Sequence, residues 1–103
     1  MAEITLHTGD MAWQAAEAYP RGTMLKVLRD DEEARSVLLK LPPGFQMEAH
    51  SHTSGEEQFV LEGAYEVEGT RYGPGTYRYI PPHGGHGPFA SEGGAVLLVT
   101  WKR

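Results

Sequence analysis

The sequence predicts an all-β domain. Thirteen glycines and seven prolines are spread over 103 residues and divide the apolar positions into short segments bounded by turn formers. Those segments are rich in β-branched, aromatic and leucine side chains, and no long stripe with a 3.6-residue period runs through them. A chain of this length holds one core, and closing its sheet or dimerising helps to stabilise it. The expected organisation is a single domain over residues 1–103, with an N-terminal arm over 1–23 and a barrel over 24–103.

Within the arm, Asp10 to Tyr19 has good helix propensity in Met-Ala-Trp-Gln-Ala-Ala-Glu-Ala behind Asp10 as N-cap, with an extended arm as the alternative. The clearest strands are Met24 to Arg29, Arg35 to Leu41, Glu57 to Glu62, Ala64 to Glu68, Thr76 to Ile80 and Gly94 to Trp101. Turns are expected at Asp30–Glu33, Leu41–Gly44, Gly69–Arg71, Gly73–Gly75 and Ser91–Gly94. Alternation sets the faces: if Glu56 points inward, Gln58 and Val60 share its side, while Phe59 and Leu61 face the other way. Both faces then carry apolar groups, as they do in Val37–Leu39 and Val96–Val99. A homodimer is the simplest cover for the second face, and the arm around Trp13 is the other.

Composition removes whole classes of function. Without cysteine there is no disulfide, thiolate zinc site, iron–sulfur cluster or thiol nucleophile, and a reducing cytoplasm suits the chain. Nine Lys and Arg against 14 Asp and Glu give a net charge of −5, which opposes attraction to nucleic acid or an anionic membrane. The start of the chain lacks the basic and apolar regions of a signal peptide, and no apolar run approaches the roughly 20 residues that span a bilayer. A soluble cytoplasmic protein is expected.

The chemistry concentrates in Gly44 to Gly63 and Gly75 to His86. On a strand, His50 and His52 project from one face and their ring nitrogens can converge on one ion. A carboxylate returns after the Thr53–Gly55 turn, and His86 can complete the set from a neighbouring strand. Adjacent strand residues face opposite ways, so only one of Glu56 and Glu57 reaches the interior, and spacing alone does not choose between them. A His-x-His pair by itself means little, but four of the five histidines fall between His50 and His86. Three nitrogens and one oxygen leave positions open on six-coordinate Fe(II), Mn(II) or Ni(II), whereas Zn(II) is more often four-coordinate. His7 reads as a surface residue and His83 as a turn residue, with a donor or base role as its alternative. Asp30–Glu33 lacks the alternating carboxylates and central glycine of a calcium loop. Neither Gly73–Gly75 nor Gly84–Gly85 is followed by the residues of a phosphate cradle.

These residues resemble the two signature motifs of the cupin superfamily, G-x5-H-x-H-x3,4-E-x6-G and G-x5-P-x-G-x2-H-x3-N. The first is met by Gly44, His50, His52, Glu56 and Gly63, whose spacing selects Glu56 over Glu57. The second is met by Gly75, Pro81 and His86, with His83 in place of its glycine and Ala90 in place of its asparagine. Further likeness, from Asp10-Met-x-Trp13 through Glu56-Glu57-x-x-Val60-Leu-Glu-Gly63 to Pro81-Pro82-x4-Gly87-Pro, is to the ChrR-like cupins. The resemblance implies a double-stranded β-helix, or jelly-roll barrel, holding one divalent metal ion (Fe, Mn, Ni or Zn) on His50, His52, Glu56 and His86.

That group includes the sensing domain of zinc-containing anti-sigma factors and is similar to small dioxygenases that cleave acetylacetone or dihydroxyacetophenone. A sigma-binding domain has no counterpart in these residues, so a whole regulator is not expected. The acetylacetone-cleaving enzymes resemble a three-histidine site, and Glu56 sets this chain apart from them. The leading expectation is a metal-dependent enzyme of the non-heme dioxygenase type, acting on a small keto or diketo compound. Its catalytic residues are not assigned; Gln58, Val60, Tyr65, Val67, Tyr77 and Tyr79 are candidate lining. The alternatives are a redox-neutral isomerase, lyase or hydrolase, and a non-catalytic module that senses a metal or small ligand.

Overall fold

The computed structural model describes residues 2–103, and of His86 it describes the backbone. A 3₁₀ turn at Thr8–Asp10 opens the arm. The described residues then form twelve strands: β1 (Gln14–Ala15), β2 (Met24–Asp30), β3 (Ala34–Leu41), β4 (Phe45–Met47), β5 (His50–Ser51), β6 (Glu56–Gly63), β7 (Tyr65–Val67), β8 (Thr70–Tyr72), β9 (Tyr77–Ile80), β10 (Gly85–His86), β11 (Phe89–Ser91) and β12 (Ala95–Lys102). They pair antiparallel as a six-stranded sheet in the order β1-β2-β3-β12-β6-β9, a four-stranded sheet β4-β11-β7-β8, and the short pair β5-β10.

The core fills the space between the two larger sheets. Val37, Leu39 and Leu41 of β3, Val60 of β6, and Leu97 and Val99 of β12 meet Phe45, Tyr65 and Phe89 from the facing sheet. Burying each of the large apolar side chains contributes about 2 kcal/mol. The alternation expected of β3, β6 and β12 is therefore present, with one interruption. In the β6–β12 ladder Val96 pairs with Glu62 but Leu97 pairs with Val60, so Leu61 is an extra residue. This bulge reverses the parity at the end of β6: Glu62 is exposed, and Gly63 comes to lie opposite Ala95.

The arm is extended. Gln14 and Ala15 pair with Leu25 and Met24, and Ala16 is buried in the core. The helix expected from propensity does not form because tertiary contacts compete with it. The Trp13 ring lies 4.5 Å from Lys26 Nζ and 5.5 Å from Lys40 Nζ, and Lys26 donates to the Thr8 carbonyl at 2.7 Å. The arm thus covers the β2–β3 end of the outer face. At the β6–β9 end, Phe59, Leu61, Tyr77 and Tyr79 are exposed.

The expected Asp30–Glu33 turn is held by Asp31, whose Oδ1 accepts the backbone N–H groups of Glu33 and Ala34 at 2.8 and 3.2 Å. The Arg29 guanidinium and these amides hold the Asp31 carboxyl at about 2, below its usual range. Of Gly69–Arg71 only Gly69 is in a turn. Glu68 and Gly69, with φ of 49° and 85°, form the two-residue link of the β7–β8 hairpin, and Thr70 and Arg71 are already in β8. Among the described residues, no helix is long and apolar enough to cross a membrane.

Candidate metal centre

The site is built where the short β5–β10 ladder meets the start of β6. His50 lies opposite His86, and Ser51 opposite Gly85. The His86 side chain lies outside the described residues, so its expected role is represented by this backbone placement. His52 comes just after β5, and its carbonyl accepts the backbone N–H of His83 at 2.6 Å, which ties the two loops together. Glu56 opens β6 with its side chain turned inward and only 3% of the residue exposed. The structure places His50 beside His52 and His52 beside Glu56: the imidazole centroids are 4.8 Å apart at nearly right angles, and His52 Nε2 is 3.1 Å from Glu56 Oε1.

Backbone and side-chain partners set the donor atoms. His50 Nδ1 is 3.1 Å from the Glu48 carbonyl oxygen, an acceptor only, so Nδ1 is the donor in this contact and Nε2 is the nitrogen left to ligate an ion. Trp101, opposite Glu56 in the β6–β12 ladder, donates its indole N–H to Glu56 Oε1 at 2.6 Å. Gln58 donates to Glu56 Oε2, Tyr65 donates to Gln58 Oε1, and Arg78 donates to the Tyr65 hydroxyl at 3.1 Å. This chain runs from a guanidinium to the buried carboxylate and fixes its orientation, as partners behind a metal ligand do.

The spacing of His52 and Glu56 suits two donors to one divalent ion. Two donors each about 2.1 Å from one ion, at right angles, are about 3.0 Å apart, close to the His52–Glu56 separation. Among the described residues no three His, Asp or Glu side chains gather closely enough to hold an ion, so the expected shell depends on His86 as well. His50 and Glu56 line an inner cavity of about 20 Å³, room for about one water. An open cleft of about 640 Å³ lies outside it, and His50, Tyr19 and Met47 border both spaces. Burial, and secondarily the negative charge of Glu56, push the Tyr19 hydroxyl up to about 12, so it remains a neutral phenol near pH 7.

Other expectations divide. Gln58, Val60 and Tyr65 are buried inward, and Val67 packs against the core. Tyr77 and Tyr79 do not line the barrel; they are 56% and 54% exposed. In the β6–β9 ladder Tyr79 pairs with outward-facing Glu57 and Tyr77 with Phe59, while Arg78 and Ile80 pair with inward-facing Gln58 and Glu56. Arg78 is half-buried and stacks 4.6 Å over the Tyr72 ring, which allows a charged residue this position. His83 is exposed in a turn with φ of 62°, and His7 is exposed in the arm. Tyr19, Arg78 and Trp101 belong to the site without any motif that marks them in the sequence. Trp101 is within reach of parity, since Leu97 and Val99 precede it on the same face.

Glu57 accepts a hydrogen bond from the Tyr77 hydroxyl at 2.9 Å on the outer face. Glu56→Gln should therefore weaken binding of a divalent ion by about tenfold or more, and Glu57→Gln should leave it nearly unchanged. Titration against a chelating dye reads the difference, and the reverse order would contradict the assignment.

The ChrR cupin-like domain profile matches residues 1–102. No curated protein sequence matches the chain. Among solved structures, an RmlC-like cupin from Shewanella frigidimarina is similar with a TM-score of 0.82 at 21% identity, over 98% of this chain and 91% of that one. An acetylacetone dioxygenase from Acinetobacter johnsonii is similar with a TM-score of 0.84 at 19% identity, over 99% and 75%. The complex of Rhodobacter sphaeroides SigE with the anti-sigma ChrR is similar with a TM-score of 0.74 at 27% identity, over 92% of this chain and 51% of that chain. The two-sheet architecture is thus the cupin fold, and the chain belongs to the ChrR cupin-like domain family.

Proposed function

We propose that this protein is a metal-dependent enzyme of the non-heme dioxygenase type that acts on a small keto or diketo compound. The observation that carries the reading is the placement of two imidazoles beside a buried, hydrogen-bonded carboxylate, with His50 at the boundary between a water-sized cavity and an open cleft. His50, His52, Glu56 and His86 would hold one divalent ion, with Fe, Mn, Ni and Zn as candidates. When bound, such an ion polarises a carbonyl oxygen and, if redox-active, relays electrons to dioxygen.

The chain's own groups then bind and orient. The indole of Trp101 and the amide of Gln58 hold the Glu56 carboxylate toward His52. Tyr19, kept protonated, can donate a hydrogen bond to an oxygen of a ligand in the cleft. Met47 borders both spaces and Phe89 the inner one, apolar walls that limit the water beside a ketone bound in the cleft. The fold shared with an acetylacetone dioxygenase supports this reading.

Likeness to the anti-sigma ChrR supports a second reading, a non-catalytic sensing module. In either case a cytoplasmic setting suits the composition. The exposed Phe59, Leu61, Tyr77 and Tyr79 form the surface on which the expected homodimer would assemble.

The test is oxygen uptake by the Fe(II)-, Mn(II)-, Ni(II)- and Zn(II)-loaded protein across a panel of small ketones, with His52→Ala as control. Uptake confined to redox-active forms and lost in the variant is expected. Conversion without oxygen, equally fast with Zn(II), would replace this reading with redox-neutral catalysis. Tight metal binding without any turnover would leave the sensor.

A further inference from the structure

We infer that the ligand of the cleft is an anion, a small oxo-carboxylate, and that Arg35 and Arg103 bind its carboxylate. The inference rests on the proposed function, in that it takes the cleft beside His50 and His52 as the substrate site. The chain as a whole carries an excess of acids, with net charge −5. This cleft instead has Arg35, Arg103, His50, His52, Tyr19 and Ser54 in its wall, and among the described residues no acidic side chain lines it.

The arginines are held ready for a ligand. Asp30 accepts Arg35 Nη1 on Oδ2 at 3.2 Å and Arg103 Nη1 on Oδ1, and Arg103 Nη1 also donates to the Asp31 carbonyl at 2.8 Å. One carboxylate thus fixes two guanidinium groups and neutralises one of their two charges. Each guanidinium carries five N–H groups, so donors remain for a second carboxylate. The side chains are 32% and 43% exposed, open to the cleft yet partly shielded from water. Planar paired donors match a carboxylate and offer much less to an uncharged ketone. With the carboxylate held there, the oxo group of a small ligand can extend toward the imidazoles, which line the same cleft.

Acetoacetate and acetylacetone are a matched pair for the test, since one ends in a carboxylate where the other has an acetyl group. Calorimetric titration of the metal-loaded protein should give at least tenfold tighter binding of acetoacetate, and that preference should shrink as salt is raised. In the double variant Arg35→Gln/Arg103→Gln the two ligands should bind within about twofold of each other. Should that variant fail to fold, Arg35→Lys, which keeps the charge but not the planar fork, should retain only part of the preference. Equal or tighter binding of acetylacetone by the unaltered protein, a salt-independent preference, or no binding of acetoacetate would overturn the inference. An acetoacetate preference without oxygen uptake would refute the dioxygenase reading and leave this one standing. Uptake with acetylacetone and no preference would do the reverse.

Discussion

His52→Ala should lower affinity for a divalent ion by more than about a hundredfold. Loss of a partner behind a ligand costs about 10- to 100-fold in comparable sites, and loss of the ligand itself costs more. His52 is tied to its position by its own carbonyl, which accepts the His83 amide, and its Nε2 is 3.1 Å from Glu56 Oε1. The substitution therefore removes a donor from a preformed arrangement and leaves the fold around it supported by β6 and β12. His7→Ala, in the exposed arm, should change nothing. Competition against a chelating dye reads both variants, and a His7→Ala effect as large as that of His52→Ala would show the ligand assignment to be wrong.

Gly63→Ala should be among the most destabilising single changes in the chain. Gly63 has φ of +68°, and a Cβ there would fall 2.2 Å from the Gly94 carbonyl oxygen and 2.9 Å from Ala95 Cα. Both are backbone atoms, so relief requires β6 and β12 to separate. Left-handed backbone costs a non-glycine residue about 1–2 kcal/mol, and with the clash the total should reach about 4 kcal/mol. A domain of this size has about 5–15 kcal/mol in all, and its melting temperature should fall by about 20 °C. Gly75 is the control: its φ is +89°, but among the described residues nothing lies within 4 Å of a Cβ placed there. Gly75→Ala should cost only the backbone contribution, about 1–2 kcal/mol. Circular dichroism melts compare the two, and equal midpoints would contradict the close approach at Gly63.

The difference between these glycines marks the boundary of what sequence can convey. Six strands are legible because each carries several residues of period-two or continuous apolar pattern, as in Val37–Leu41 and Ala95–Val99. The two-residue ladders β1, β5 and β10 are too short to have a period, and they exist because neighbouring elements bring them together. Helix propensity in the arm is real locally but loses to the contacts of Trp13 and Ala16. In β9 the aromatic residues suggest an inward face, and the opposite parity holds because Gln58 and Tyr65 give Arg78 a place inside. The nearness of His50 to His52 and of His52 to Glu56 is legible because motif spacing survives without knowledge of the fold. Tyr19, Arg35 and Arg103 are not, since a cleft wall assembled from the arm, β3 and the end of the chain leaves no local pattern.

His50, His52, Glu56 and His86 are proposed to hold one divalent ion. Diffraction data collected on either side of the absorption edges of Fe, Mn, Ni and Zn, on protein purified without added metal and again after reconstitution, test it most directly. One anomalous peak per chain within about 2.0–2.3 Å of His50, His52, Glu56 and His86 is the predicted result. No peak at that position after reconstitution, or a peak coordinated by other residues, would show that these four side chains are not the ligands.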